Sequence, residues 1–185
     1  MPVYPQSITD QPTIRESAGY PEYPDGGYHG GIDTVHTNHL AYAPAGGTIV
    51  VAHVWQGTTE HNDSWGNYIV VDMGNNRYWL AAHFTQQLNT VGQVLKKGDY
   101  IGTQGRTGNV TGVHTHWEYW VGGQSTAYRS DPSQILGIPN GAPATYDVSW
   151  DAEEPPGPGP GPGPGPSGKI PVWLLFKFNK GVLIL

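Results

Sequence analysis

The sequence predicts an all-β domain, a mainly antiparallel sheet with at most short helices. Aromatic and β-branched runs recur along the chain, each bounded by turn residues. The 27 Gly and 17 Pro interrupt the sequence too often for long helices. The 7 Trp and 11 Tyr supply large side chains for a sheet to bury, and charged residues are only 13%.

In chain order, residues 1–18 are polar with scattered proline and read as an extended N-terminal arm. Gly19 to Gly27 has loop chemistry. Thr48 to Trp55 is a strong strand, and Gln56 to Gly66 a polar loop. Asn67–Met73 and Arg77–Phe84 form a hairpin around Gly74-Asn75-Asn76. Tyr100–Gly102 is a short strand. A Gly/Thr loop, Gly105 to Gly112, then delivers the chain to a strand ending Val113-His114-Thr115-His116-Trp117-Glu118-Tyr119-Trp120. Ser130-Asp131-Pro132 starts one short helix that ends near Gly137. The folded domain is expected over 19–140, followed by an irregular connector over 141–154, a Pro/Gly linker over 155–168 and an apolar tail over 169–185.

Net charge is −6 with no basic cluster, which argues against a nucleic-acid partner. With no cysteine there is no disulfide, thiolate metal site or cysteine nucleophile. The first residues lack the basic and apolar regions of a signal peptide. The expectation is a protein made in the cytosol and released another way, or one whose leader has been removed. The tail carries Lys169, Lys177 and Lys180 and is shorter than a clean membrane helix. It reads as a membrane-surface or wall-contacting segment, or as the start of another module.

Side chains alternate along a strand, so His114, His116, Glu118 and Trp120 share one face. The two imidazoles stand roughly 6.6–6.8 Å apart at strand rise. They could both reach one zinc ion, or they could be two surface histidines. His29 and Asp33 are four residues apart in Tyr28-His29-Gly30-Gly31-Ile32-Asp33. A straight strand would separate them by about 13 Å. They meet at a metal only if the backbone bends at the two glycines. His36 and His39 are a rival pair at i, i+3, without the helical pattern that spacing needs. His53 reads as packing and His61 as lining a groove. His83, taken singly, reads as a hydrogen-bonded strand-end residue.

Taken together, His29-Gly30-Gly31-Ile32-Asp33, the lone His83 after Leu80-Ala81-Ala82, and His114-Thr115-His116 after a Gly/Thr loop resemble the lysostaphin-type (LytM-like) zinc metallopeptidases. Those enzymes cleave peptides of bacterial peptidoglycan. Ala43-Pro44, Trp65-Gly66-Asn67-Tyr68 and Lys97-Gly98-Asp99-Tyr100-Ile101-Gly102 also match, and the resemblance covers about residues 25–135. It implies a lysostaphin/LytM-like catalytic domain with a substrate groove over the sheet. It also implies one Zn2+ per chain held by His29, Asp33 and His116, and catalytic roles for His114 and His83. The division between His114 and His116 rests on the resemblance alone. Two positions depart from the pattern. Ala81 stands where an aromatic is frequent, and Thr115 where leucine is frequent.

Three protein ligands leave zinc an open position, where a water's pKa falls towards about 7. His114 is expected to take the water proton and His83 to stabilise the developing oxyanion. Glu118 could orient a ligand histidine or be a solvated strand residue. The expected function is a zinc endopeptidase acting on peptidoglycan cross-bridge or stem peptides, a phage or prophage-type lysin or a virion-associated protein working at the cell wall. The alternative is a non-catalytic cell-wall-binding or regulatory module on the same fold.

Overall fold

A computed structural model describes residues 2–152. The Pro/Gly linker and the apolar tail, with their expected spacer and surface-contact roles, lie outside the described residues. So does the His61 side chain, and with it the expected groove role.

The regular structure of the described chain is almost entirely strand. In order come β1 (Val3–Gln6), β2 (Thr13–Ala18), β3 (Ile32–Val35), β4 (Leu40–Tyr42), β5 (Gly47–His53) and β6 (Asn67–Gly74). There follow β7 (Arg77–Phe84), β8 (Val94–Leu95), β9 (Tyr100–Thr103), β10 (Thr115–Val121), β11 (Arg129–Ser130), the helix α1 (Ser133–Leu136) and β12 (Ala144–Trp150). The helix ends at Gly137 in a left-handed conformation, the usual C-terminal stop. Asn75 and Asn76 both have φ of 55°, the backbone of a tight hairpin turn between β6 and β7.

One large sheet runs β1-β12-β2-β3-β10-β7-β6-β5-β8, with β11 beside β10. Its pairings are antiparallel apart from β1 with β12. Strands β4 and β9 form a separate pair. Two apolar clusters sit on opposite faces. The larger contains Trp79, Ala81, Phe84 and Trp117. The smaller contains Tyr68, Val70, Leu80, Ala82 and Trp120. Both faces of β10 are therefore covered, and within it only Val121 stands exposed.

The ends of the domain differ from the expectation. Residues 1–18 are not a free arm, because β1 and β2 belong to the large sheet. Nor is the described part of the connector, residues 141–152, irregular, because it holds β12, which lies between β1 and β2. Ile8, Ile14 and Val148 enter the larger core cluster. Half of β2 is buried but one of those positions is the polar Glu16, and β1 and β12 each bury one position, so little apolar alternation shows in their sequence.

Candidate metal centre and groove

Register places the first two site residues. β10 pairs with β3 so that His116 stands opposite Asp33. Directly opposed residues point to the same face, so imidazole and carboxylate meet without any loop. His29 precedes β3 and reaches the same point through a bend at Gly30 and Gly31. Its Nε2 lies 3.2 Å from Asp33 Oδ1. Gly31 is needed because a Cβ there would stand 2.1 Å from the Trp117 carbonyl oxygen and 2.8 Å from His116 Cε1. The required bend is thus present, and its second glycine lets the chain run against β10.

His83 arrives by a different device. Ala82 pairs with His116 and shares its face, so a regular strand would turn His83 to the opposite one. Instead His83 has φ of 69°, a left-handed conformation rare for a residue with a Cβ. Consequently His83 lines the groove on the side of the sheet where Ala82 packs in the smaller cluster, while Ala81 and Phe84 pack in the larger core. The ring of His83 stands 4.8 Å from that of His114 and 5.8 Å from that of His116, centroid to centroid. His114 sits just before β10, with Nε2 3.5 Å from Asp33 Oδ2.

Every imidazole of the cluster is anchored through one nitrogen. His29 Nδ1 donates to the Gly19 carbonyl at 2.7 Å. His83 Nδ1 donates to Thr107 at 2.9 Å and His114 Nδ1 to Gly112 at 3.0 Å. His116 is anchored at the other end, with Nε2 3.2 Å from Glu118 Oε1. A carbonyl can only accept, so it fixes the proton on the nitrogen facing it and leaves the other as a lone pair.

That rule tests whether a metal fits. His29 Nε2 and His116 Nδ1 face each other at 3.1 Å, and Asp33 Oδ1 lies 2.8 Å from the second. Two lone pairs and a carboxylate in mutual contact repel one another unless a cation lies among them. A proton on His116 satisfies this in the metal-free protein. Burial alone would push that imidazole down, but the hydrogen bonds and charges of Asp33 and Glu118 outweigh it and hold it at about 9. Burial likewise opposes ionisation of Asp33, yet His116 and His29 keep its carboxyl far below the usual range. One ligand atom each from His29, Asp33 and His116 all lie within 4.8 Å of one another. Two imidazole nitrogens and one carboxylate are a donor set suited to zinc with an open position. The anchors on His29 and His116 are the supports that ligating histidines ordinarily have.

The other two histidines carry no such charge. Burial pushes His83 down to about 3, with the neighbouring imidazoles adding to it. Burial also lowers His114, against the pull of Asp33. Both are neutral near pH 7, with Nδ1 protonated and Nε2 free to accept.

The cluster lies in an open groove of about 260 Å³, walled by Tyr23, Tyr28, Ser64, Trp65, Asn109 and Arg129. Tyr23 stacks on His29 with centroids 4.1 Å apart. The loop carrying the Thr107 carbonyl is tied down by its own hydroxyl. Thr107 Oγ1 accepts from Asn67 N and donates to the Phe84 carbonyl, each at 2.9 Å.

The remaining histidines are elsewhere. His36 is fully buried, donating from Nδ1 to Leu40 at 2.6 Å and accepting at Nε2 from Thr34 Oγ1 at 3.1 Å. Both of its nitrogens are occupied, which removes the rival His36–His39 pair. His53 stacks on Tyr68 and bonds Asp63 at 2.8 Å. Sequence reasoning missed Arg129, which holds Glu118. Its only signal was being one of 9 basic residues in the chain, in a stretch of weak secondary-structure preference.

Residues 27–128, more than half of the chain, match peptidase family M23. The chain belongs to that family. This M23 chain is 37% identical over 65 residues to peptidoglycan DD-endopeptidase ShyC of Vibrio cholerae, covering 35% of this chain and 15% of that protein. It is 30% identical over 105 residues to Morphogenesis protein 1 of Bacillus phage B103, covering 55% and 28%. The chain thus spans under a third of the length of these curated relatives. Among solved structures, the catalytic domain of lysostaphin from Staphylococcus simulans superposes with a TM-score of 0.57 at 29% identity, over 66% of this chain and 92% of that one. The M23 chain therefore shares the fold of that catalytic domain, in agreement with its all-β sheet.

Proposed function

We propose that this chain is a zinc-dependent endopeptidase that hydrolyses peptide bonds of bacterial peptidoglycan. One observation carries the reading. His29, Asp33 and His116 turn three mutually repelling acceptors onto one point, with the free Nε2 of His114 3.5 Å from the same carboxylate. When bound there, zinc would polarise the scissile carbonyl and acidify the attacking water.

The protein's own residues supply the rest. The β3–β10 register and the Gly31 approach preform the ligand set, so little ordering is needed on binding. Neutral His114 accepts the water proton at Nε2, since its other nitrogen is committed to Gly112. His83 is committed to Thr107 in the same way and is neutral near pH 7, so its Nε2 can donate towards the oxyanion only after taking up a proton during the reaction. The open groove admits an extended peptide over the cluster. Similarity to a peptidoglycan endopeptidase and to a phage protein supports a wall substrate and a phage or prophage-type lysin.

The test is digestion of purified peptidoglycans of several cross-link types, with fragments identified by mass spectrometry. Zinc-loaded protein should release peptides with new amino termini. Chelated protein should not, and added zinc should restore cleavage. Zinc-loaded protein that binds walls but cuts none would contradict the reading.

A further inference from the structure

Glu118 is fully buried on β10 and accepts four hydrogen bonds. Oε1 receives Arg129 Nη2 at 2.5 Å and His116 Nε2 at 3.2 Å. Oε2 receives Arg129 Nε and Trp120 Nε1, each at 2.7 Å. The guanidinium thus grips the carboxylate with two parallel bonds, the geometry that best fixes its orientation. Arg129 opens β11, opposite Trp120, one residue beyond the stretch that matches the family. Its guanidinium stands 5.8 Å from the Tyr28 ring and 6.0 Å from the Trp65 ring.

Gly30 makes room for it. A Cβ at Gly30 would lie 2.5 Å from both Arg129 Cζ and Nε. The two glycines of the bend therefore serve different neighbours, Gly31 the β10 backbone and Gly30 the guanidinium. Charge gives a second reason. His116 touches two carboxylates, Asp33 and Glu118, and Arg129 compensates one of them. Without it, the Glu118 carboxylate would be buried with only an imidazole and an indole as partners.

We propose that Arg129 is a positioning residue of the metal centre: by clamping Glu118 it holds His116 with its proton on Nε2 and its Nδ1 lone pair aimed at His29 and Asp33. The role rests on the zinc reading above and concerns zinc affinity before it concerns turnover. Support of this kind to a ligand histidine commonly alters metal affinity by about 10–100-fold.

The experiment compares wild-type protein with Arg129→Met, Arg129→Lys and Gly30→Ala. Zinc affinity is read by competition with a chromophoric chelator, folding by thermal melting, and the His116 imidazole by ¹⁵N-detected NMR of the zinc-loaded protein. R129M should bind zinc about 10–100-fold more weakly and lose the protected His116 Nε2–H signal. R129K restores charge without the two-point grip and should recover part of the affinity. G30A keeps the guanidinium but displaces it, and should weaken zinc in the same direction. Wild-type affinity and an unchanged His116 signal in R129M would overturn the proposal. So would a loss that only follows the melting temperature, with R129K no better than R129M. If R129M does not fold, wild-type affinity in both R129K and G30A would overturn it instead. Wild-type protein that fails to bind zinc refutes the zinc reading, whereas zinc-binding wild type with unaffected variants refutes only the role of Arg129.

Discussion

The imidazoles of His83 and His114 stand 4.8 Å apart, each with Nδ1 turned onto a backbone carbonyl. Both are thereby prepared to exchange a proton at Nε2, and neither is arranged as a member of the His29–Asp33–His116 set. His83→Ala and His114→Ala should each keep stoichiometric zinc and lose about 10²–10⁴-fold in turnover, the usual range for a general acid or base. His116→Ala should lose zinc and activity together. Metal analysis beside a cleavage assay separates these outcomes, and zinc loss in His114→Ala with retention in His116→Ala would reverse the roles.

Gly31→Ala should damage the centre without touching a donor atom. The added Cβ would meet the Trp117 carbonyl oxygen at 2.1 Å, so β3 and β10 must move apart. Overpacking of this kind costs about 1–3 kcal/mol. Urea denaturation should show that loss together with reduced zinc content. Wild-type stability with full zinc would mean that the two strands approach less closely than described.

His36 should make the fold acid-sensitive. Burial in the core lowers it to about 4, whereas the unfolded chain titrates near 6.5. The folded state therefore binds fewer protons, and its stability is complete above 6.5 and lost as pH falls from there towards 4. The difference is worth about 3 kcal/mol. Denaturation midpoints measured between pH 7 and 4 should show this component in wild-type protein and lack it in His36→Gln. Equal pH slopes in the two proteins would contradict it.

The strands at the two ends should prove part of the domain. A chain cut to residues 19–140 loses β1, β2 and β12, and with them Ile8, Ile14 and Val148 from the core. A fully buried aliphatic side chain contributes about 1.5–3 kcal/mol, so the loss exceeds about 4 kcal/mol. Circular dichroism should find the shortened chain unfolded or close to it at 25 °C. A cooperative transition at the wild-type temperature would show these strands to be dispensable.

Legibility in the sequence followed the range of the signal. The β6–β7 hairpin and β10 were readable because their side-chain pattern and turn residues are local. The short α1 was readable from its proline start and glycine stop. The need for a bend at Gly30-Gly31 followed from strand geometry alone, and Gly31 shows its physical cause. The ends were misread because β1 and β12 gain their partners from opposite ends of the chain. His83 could not be placed by alternation, since a left-handed residue breaks the period. The anchors of His29, His83 and His114 were invisible for another reason. They are backbone carbonyls of Gly19, Thr107 and Gly112, and a carbonyl has no sequence signature. Arg129 acts through Glu118, eleven residues away, across a strand pairing that no periodicity announces.

The most direct test of the zinc centre is anomalous diffraction at the zinc edge from crystals of zinc-loaded protein. One peak per chain should appear within bonding distance of His29 Nε2, the Asp33 carboxylate and His116 Nδ1, with Zn–N distances of about 2.0–2.1 Å. His83 and His114 should keep their bonds to Thr107 and Gly112 and stay out of the ligand set. No peak at this cluster in zinc-saturated crystals, or a peak ligated by His114 in place of His116, would contradict the account.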